Sequence, residues 1–112
     1  MTLWPELDLK ERYERAQLFF DAKDYRTAEE LLVDVVAAEP THVASRLLLA
    51  RAYFYTAQLR RAEEQLRIVI ERDPTEAYAH LVLGRTLQRA GRHDEAVPHL
   101  RMAAVMMGEE AD

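Results

Sequence analysis

Few residues in this chain could attack a substrate. Ser45 is the only serine and cysteine is absent, so nucleophilic chemistry would rest on that one hydroxyl or on a threonine. His42 stands three residues before Ser45 and could serve as a base, but nothing nearby supplies an orienting acid and an oxyanion hole. The histidines His42, His80, His93 and His99 show neither H-x3-H nor H-E-x2-H spacing, so no metal site is expected. His93 and His99 read as surface residues. The carboxylate pairs Glu29-Glu30, Glu63-Glu64 and Asp94-Glu95 fall near predicted helix starts, where the positive end of the helix dipole favours them. Gly84, Gly91 and Gly108 suit packing, turn and helix-stop roles and form no phosphate loop. The expectation is a protein that is not an enzyme and needs no cofactor.

The remaining distinctive side chains are aromatics and arginines. Arginine supplies all but two of the 15 basic residues, the exceptions being Lys10 and Lys23. That bias fits a GC-rich bacterial genome. The net charge of −5 and pI near 5.4 argue against general affinity for nucleic acid or for an anionic membrane surface. With 49% apolar and 31% charged residues, the 112-residue chain is globular and of single-domain size. No apolar run approaches the roughly 20 residues of a membrane span. The first residues, Met1 to Glu6, lack the pattern of a secretory signal. A cytoplasmic protein is expected.

The elements that position these residues are set by internal repetition. Ala28, Ala62 and Ala96 are spaced 34 residues apart, as are Ala16, Ala50 and Gly84; Leu32, Leu66 and Leu100; Phe19, Tyr53 and Leu87; and Pro40, Pro74 and Gly108. Each unit reads as two helices with helical apolar spacing, such as Leu47–Thr56 followed by Ala62–Ile70. Short connections at Lys23–Arg26, Gln58–Arg61 and Gly91–Asp94 force the paired helices antiparallel. Thr41 and Thr75 are placed to cap the helices that follow, and Pro40 and Pro74 stop those that precede. Small residues let helix backbones approach, and a lone hairpin with such a face must stack on neighbours. The expected fold is all-α, a solenoid of three helix-turn-helix repeats at 9–42, 43–76 and 77–110. A lead segment at 1–8, with Leu3, Trp4 and Leu7 covering one end, and a tail at 111–112 flank it.

These columns resemble the tetratricopeptide repeat pattern W-x2-L-G-x2-Y…A-x3-F…P. The second unit reads Arg46, Leu49, Ala50, Tyr53, Ala62, Leu66, Pro74, and the third reads His80, Leu83, Gly84, Leu87, Ala96, Leu100, Gly108. The first reads Arg12, Arg15, Ala16, Phe19, Ala28, Leu32, Pro40 and departs most, because Arg15 replaces the leucine. Arg12, Arg46 and His80 stand where the pattern has tryptophan, which suggests a half-buried position. Pro98 is expected within the first turn of the last helix, where its missing N–H is harmless. The resemblance implies a right-handed superhelix whose concave wall is lined by the first helix of each unit, and binding of protein segments there. It also implies that the chaperone-tail clamp of some members is lacking, since Tyr13, Gln17, Leu48, Tyr78 and Val82 occupy the matching positions.

At about 100° per residue, a second face of these first helices gathers Tyr13, Gln17, Phe20 and Asp21; Leu47, Arg51, Phe54 and Tyr55; and Leu81, Arg85, Gln88 and Arg89, with Tyr78 at the rim. This set is the candidate groove for a protein or peptide of acidic and apolar character. Two readings of Phe20, Phe54 and Tyr55 stand side by side: ligand contacts, or packing between neighbouring helices. Met102, Val105 and Met106 form an apolar stripe on the last helix, with no capping helix after it. The expectation there is self-association, as a homodimer; a purely structural self-assembling unit is the alternative function.

Overall fold

A computed structural model describes residues 7–108, and among them there are six α-helices and no strand. They are α1 (Leu9–Asp21), α2 (Tyr25–Ala38), α3 (Val43–Tyr55), α4 (Leu59–Arg72), α5 (Ala77–Arg89) and α6 (His93–Met106). The segments carrying Leu3 and Trp4, and the tail after Gly108, lie outside the described residues. None of the described helices is long and apolar enough to cross a membrane.

Each odd helix pairs with the even helix after it, and each even helix packs on the next odd one, giving a rod of 51 × 24 × 23 Å. Helix α3 also packs closely on α1 and α5, whereas the backbones of α2, α4 and α6 do not approach one another. The odd helices therefore lie closer together and line the inner, concave side. Ala16, Ala28, Ala50, Ala62, Gly84 and Ala96 are all buried at the helix contacts, and Leu31, Leu32, Leu66, Leu83 and Leu87 fill the space beside them.

The turns within the hairpins are shorter than the sequence suggested. Each is three residues long, Ala22–Asp24, Thr56–Gln58 and Ala90–Arg92, because Tyr25, Leu59 and His93 already begin a helix. The middle residue of each turn is left-handed: Lys23 at φ 65°, Ala57 at φ 60° and Gly91 at φ 79°. The N–H of the third residue then reaches back to the carbonyl of Phe19, Tyr53 or Leu87, at 2.8 Å in all three turns. This is the Schellman arrangement, in which orphan carbonyls at a helix end find donors beyond it. The third residue also starts the next helix; Asp24 caps α2 by accepting the Thr27 N–H at 3.2 Å.

The caps between repeats lie one residue beyond the expected threonines. His42 caps α3 and Glu76 caps α5, while Thr75 bonds to Asp73 instead. Pro98 is the sixth residue of α6, not part of its first turn, since the Ala96 N–H already donates to Arg92 O at 3.2 Å. It removes a donor from the helix interior, yet α6 continues through it.

A left-handed backbone is unfavourable for any residue with a Cβ, by roughly 1–2 kcal/mol. Replacing Ala57 by glycine removes that strain and returns only part of it as unfolded-chain entropy. Ala57→Gly should stabilise the protein by about 0.5–1 kcal/mol, read as an increase in the urea midpoint at unchanged slope.

Candidate protein-binding face

Arg51 organises the concave side. It projects from the middle of α3, and its guanidinium carbon sits 4.6 Å from the ring centre of Phe20 on α1 and 4.8 Å from that of Tyr78 on α5. One side chain thus bridges all three odd helices through cation–π contacts. Its Nε is buried without a hydrogen-bond partner. On α5, Arg89 repeats the motif, lying 4.7 Å from the Phe54 ring centre while donating to Phe54 O at 2.8 Å.

The aromatics behind these arginines form a connected cluster. Tyr25 and Tyr55 stack at 4.6 Å with planes 14° apart, and Phe20 meets both edge-on at 5.1 and 5.8 Å. Phe54 meets Tyr55 edge-on at 5.4 Å. The two readings left open by the sequence divide between residues. Phe20 is buried and packs; Phe54 is half-buried; Tyr55 is 50% exposed and faces solvent as well as its neighbours. Tyr25 belongs to the cluster but escaped the sequence reading because it opens an even helix.

Arg51, Phe54, Tyr55, Tyr78, Leu81, Val82 and Arg85 line a cleft whose free volume is about 20 Å³, room for roughly one water. Six of these seven were expected there; Val82 was not, and it is buried. Of the other expected residues, Leu47 is half-buried and Gln17 is exposed, with its amide 3.4 Å from the Tyr13 hydroxyl. The Tyr13 ring meets His42 edge-on at 5.3 Å. Burial raises the Tyr13 pKa, and the positive charge of Arg51 works against that rise.

Charge on the α3 and α5 part of this face is one-sided, whereas α1 carries Asp21. Neither α3 nor α5 contains an aspartate or glutamate. Among the described residues Arg51, Arg85 and Arg89 have no carboxylate within ion-pair distance. The acidic residues expected to serve helix dipoles are placed differently. Glu29 and Glu63 lie in the second turn of α2 and α4 and link repeats: Gln58 donates to Glu29 at 2.7 Å and Arg92 to Glu63 at 2.6 Å. Only Asp94 and Glu95 occupy a first turn.

The tryptophan column is more buried than expected. Arg46 is 8% and His80 6% exposed, while Arg12 is half-buried. Each reaches a backbone carbonyl just before its own helix: Arg12 to Leu7 O at 3.0 Å, Arg46 to Pro40 O at 2.9 Å, and His80 to Pro74 O at 2.9 Å. His99 is half-buried against His80 rather than lying on the surface; His93 is exposed. Ser45 is fully buried with its Oγ against His42 Nδ1, which also accepts the Ser45 N–H at 3.3 Å. That pair is a helix cap.

On α6, Met102, Val105 and Met106 are exposed, as is Met107. Their counterparts 34 and 68 residues earlier are Ile68, Glu71 and Arg72, and Asp34, Ala37 and Ala38. No member of these two sets is buried, although a further repeat stacks on α2 and on α4. The stripe therefore lies off the stacking face.

A rod of stacked helical hairpins with a basic and aromatic concave face is a helical-repeat interaction scaffold. The tetratricopeptide repeat profile matches residues 19–85, and the chain belongs to that family, whose repeats mediate protein–protein interaction. No curated protein sequence matches it. Among solved structures its fold is similar to that of MamA. One MamA point mutant superposes with a TM-score of 0.84 at 24% identity, over 92% of this chain and 74% of that one. AMB-1 MamA gives 0.85 at 23%, over 92% and 61%, and a double mutant of RS-1 MamA gives 0.84 at 27%, over 98% and 62%. The chain thus spans about three-fifths of the length of the latter two, and the likeness is one of fold.

Truncating Arg51 removes two ring contacts and the packing of its stem between three helices. Arg51→Ala should destabilise the protein by roughly 1–2 kcal/mol, measured by denaturant unfolding, with far-UV circular dichroism unchanged before the transition.

Proposed function

We propose that this chain is a protein-interaction module that holds an acidic, partly apolar segment of a partner across its concave face. The observation that carries this reading is the set of uncompensated guanidinium groups, Arg51, Arg85 and Arg89, on two helices without a single carboxylate, in a chain of net charge −5. Stacking on rings holds Arg51 and Arg89 in place without neutralising them, so their charge remains available for carboxylates. The small cleft volume favours a segment lying across the surface, with Tyr55, Tyr78 and Leu81 as apolar contacts, over an inserted anchor. Ser45 is itself buried and its Oγ is taken up by the His42 cap, which supports a binding role over a catalytic one.

The test uses labelled peptides alternating Glu with Leu and, as a control, Lys with Leu. The glutamate peptide should bind, weaken as salt is raised, and lose at least tenfold in affinity to Arg51→Glu/Arg85→Glu protein of unchanged helicity. Equal binding of the two peptides, or indifference to the double reversal, would sink the assignment.

A second reading, self-association through α6, is favoured by one observation. Met102, Val105 and Met106 are apolar and exposed where the earlier repeats place mainly charged or small residues. Under it, the protein is a dimer by light scattering at high concentration and Met106→Glu makes it a monomer; a natural chain that stays monomeric refutes it.

A further inference from the structure

The repeated column at Arg46 and His80 holds a polar bridge of constant geometry and changing chemistry. In the second repeat, Arg46 spans Pro40 O at 2.9 Å and Gln65 Oε1 at 2.7 Å. In the third, His80 spans Pro74 O at 2.9 Å and His99 Nδ1 at 3.2 Å; Gln65 and His99 are also 34 residues apart. An arginine bridge donates at both ends at any ordinary pH. An imidazole bridge does not.

The proton positions follow from the partners. A carbonyl only accepts, so His80 donates Nε2–H to Pro74 O and presents its Nδ1 lone pair to His99. His99 then donates its own Nδ1–H. The geometry is that of a direct bond. The ring centres are 5.5 Å apart with planes 24° apart, and the nitrogens 3.2 Å apart. With the centres this far apart and the nitrogens this close, the two Nδ1 atoms face each other between the rings. Lone pairs aimed head-on share one proton; a tetrahedral metal would need them to converge at an angle.

We propose that the His80–His99 hydrogen bond is a pH-sensitive latch that holds the third repeat closed, and that the matching bridge in the second repeat is its pH-insensitive counterpart. One added proton, on His99 Nε2, leaves the bond intact. A second, on His80 Nδ1, sets N–H against N–H and opens it. The charged groups acting on His99 come from two elements. Arg67 on α4 is paired with Glu63 at 2.9 Å, and Glu95 on α6 is paired with Arg92 at 2.6 Å. Burial, the facing His80 and Arg67 together lower the His99 pKa against the opposing pull of Glu95. In the unfolded chain the His99 imidazole takes up its proton near pH 6.5, so the stability that its lowered folded pKa reflects is fully present above that value and is lost as pH falls below it. Helix α5 also carries Tyr78, Leu81, Arg85 and Arg89, so the latch anchors the third wall of the concave face.

The test compares the natural chain with His80→Arg/His99→Gln, which copies the Arg46–Gln65 bridge. Between pH 7.5 and 5.0 the natural chain should lose about 5 °C or more in thermal midpoint, and the double variant less than half as much. His42 and His93 remain in both chains, so their titration cancels. Parallel losses would overturn the proposal. Amide hydrogen exchange on the natural chain provides a second readout, independent of how the variant folds. At pH 5.0, after correction for intrinsic rates, α5 and α6 should lose protection relative to α1–α4; an even loss along the chain would refute the latch.

Discussion

The close approach of helix backbones at small residues is the constraint on which everything else depends. Gly84 shows how tight it is: a Cβ there would lie 2.5 Å from Leu100 Cδ2 and 2.6 Å from Leu100 Cγ, well inside contact distance. Ala16 and Ala50 fill the same position in the earlier repeats, where Leu32 and Leu66 are the counterparts of Leu100, and all four are fully buried. Because these notches fix how each pair of helices nests, they also fix where the faces of α1, α3 and α5 point. Arg51 can reach rings on both neighbouring odd helices only because the intervening backbones sit this close.

That dependence explains what could be read from the sequence. Close packing demands a particular residue size at fixed intervals, so the columns of alanine, glycine and leucine exposed the period and the helix pairs. Where the structure imposes a shape without dictating a residue type, the pattern was silent. The left-handed turn position is glycine only at Gly91; Lys23 and Ala57 adopt the same conformation with nothing in their identity to announce it. Caps shifted from Thr41 and Thr75 to His42 and Glu76 because several side chains can accept an N–H bond, and helix register alone decides between them. Tyr25 was missed for a different reason: it reaches the concave cluster from an even helix, and helical spacing along the odd helices cannot reveal that.

The tryptophan column was legible in position and misjudged in burial. Arginine and histidine at a repeat position suggest exposure, since a buried charge is unfavourable unless it is well partnered. Here the partner is backbone: the carbonyls of Leu7, Pro40 and Pro74 lie where each repeat turns into its first helix. A large apolar side chain would fill that space and leave the carbonyl without a donor. A polar one supplies the donor and ties the turn to the helix, which is why Arg46 and His80 are drawn in to near-complete burial.

The two kinds of arginine in this fold then follow from one distinction. Arg46 and Arg92 bond to oxygen and serve cohesion, Arg46 within a repeat and Arg92 between repeats through Glu63. Arg51 and Arg89 are held mainly by aromatic faces, which are attractive to a cation yet carry no net charge. Arg92 bonds to carboxylates, which largely cancel its field; a guanidinium stacked on a ring keeps its own. Packing alone would be served as well by an apolar side chain between Phe20 and Tyr78. An arginine in that slot keeps on the concave side a positive charge that an apolar side chain would lack.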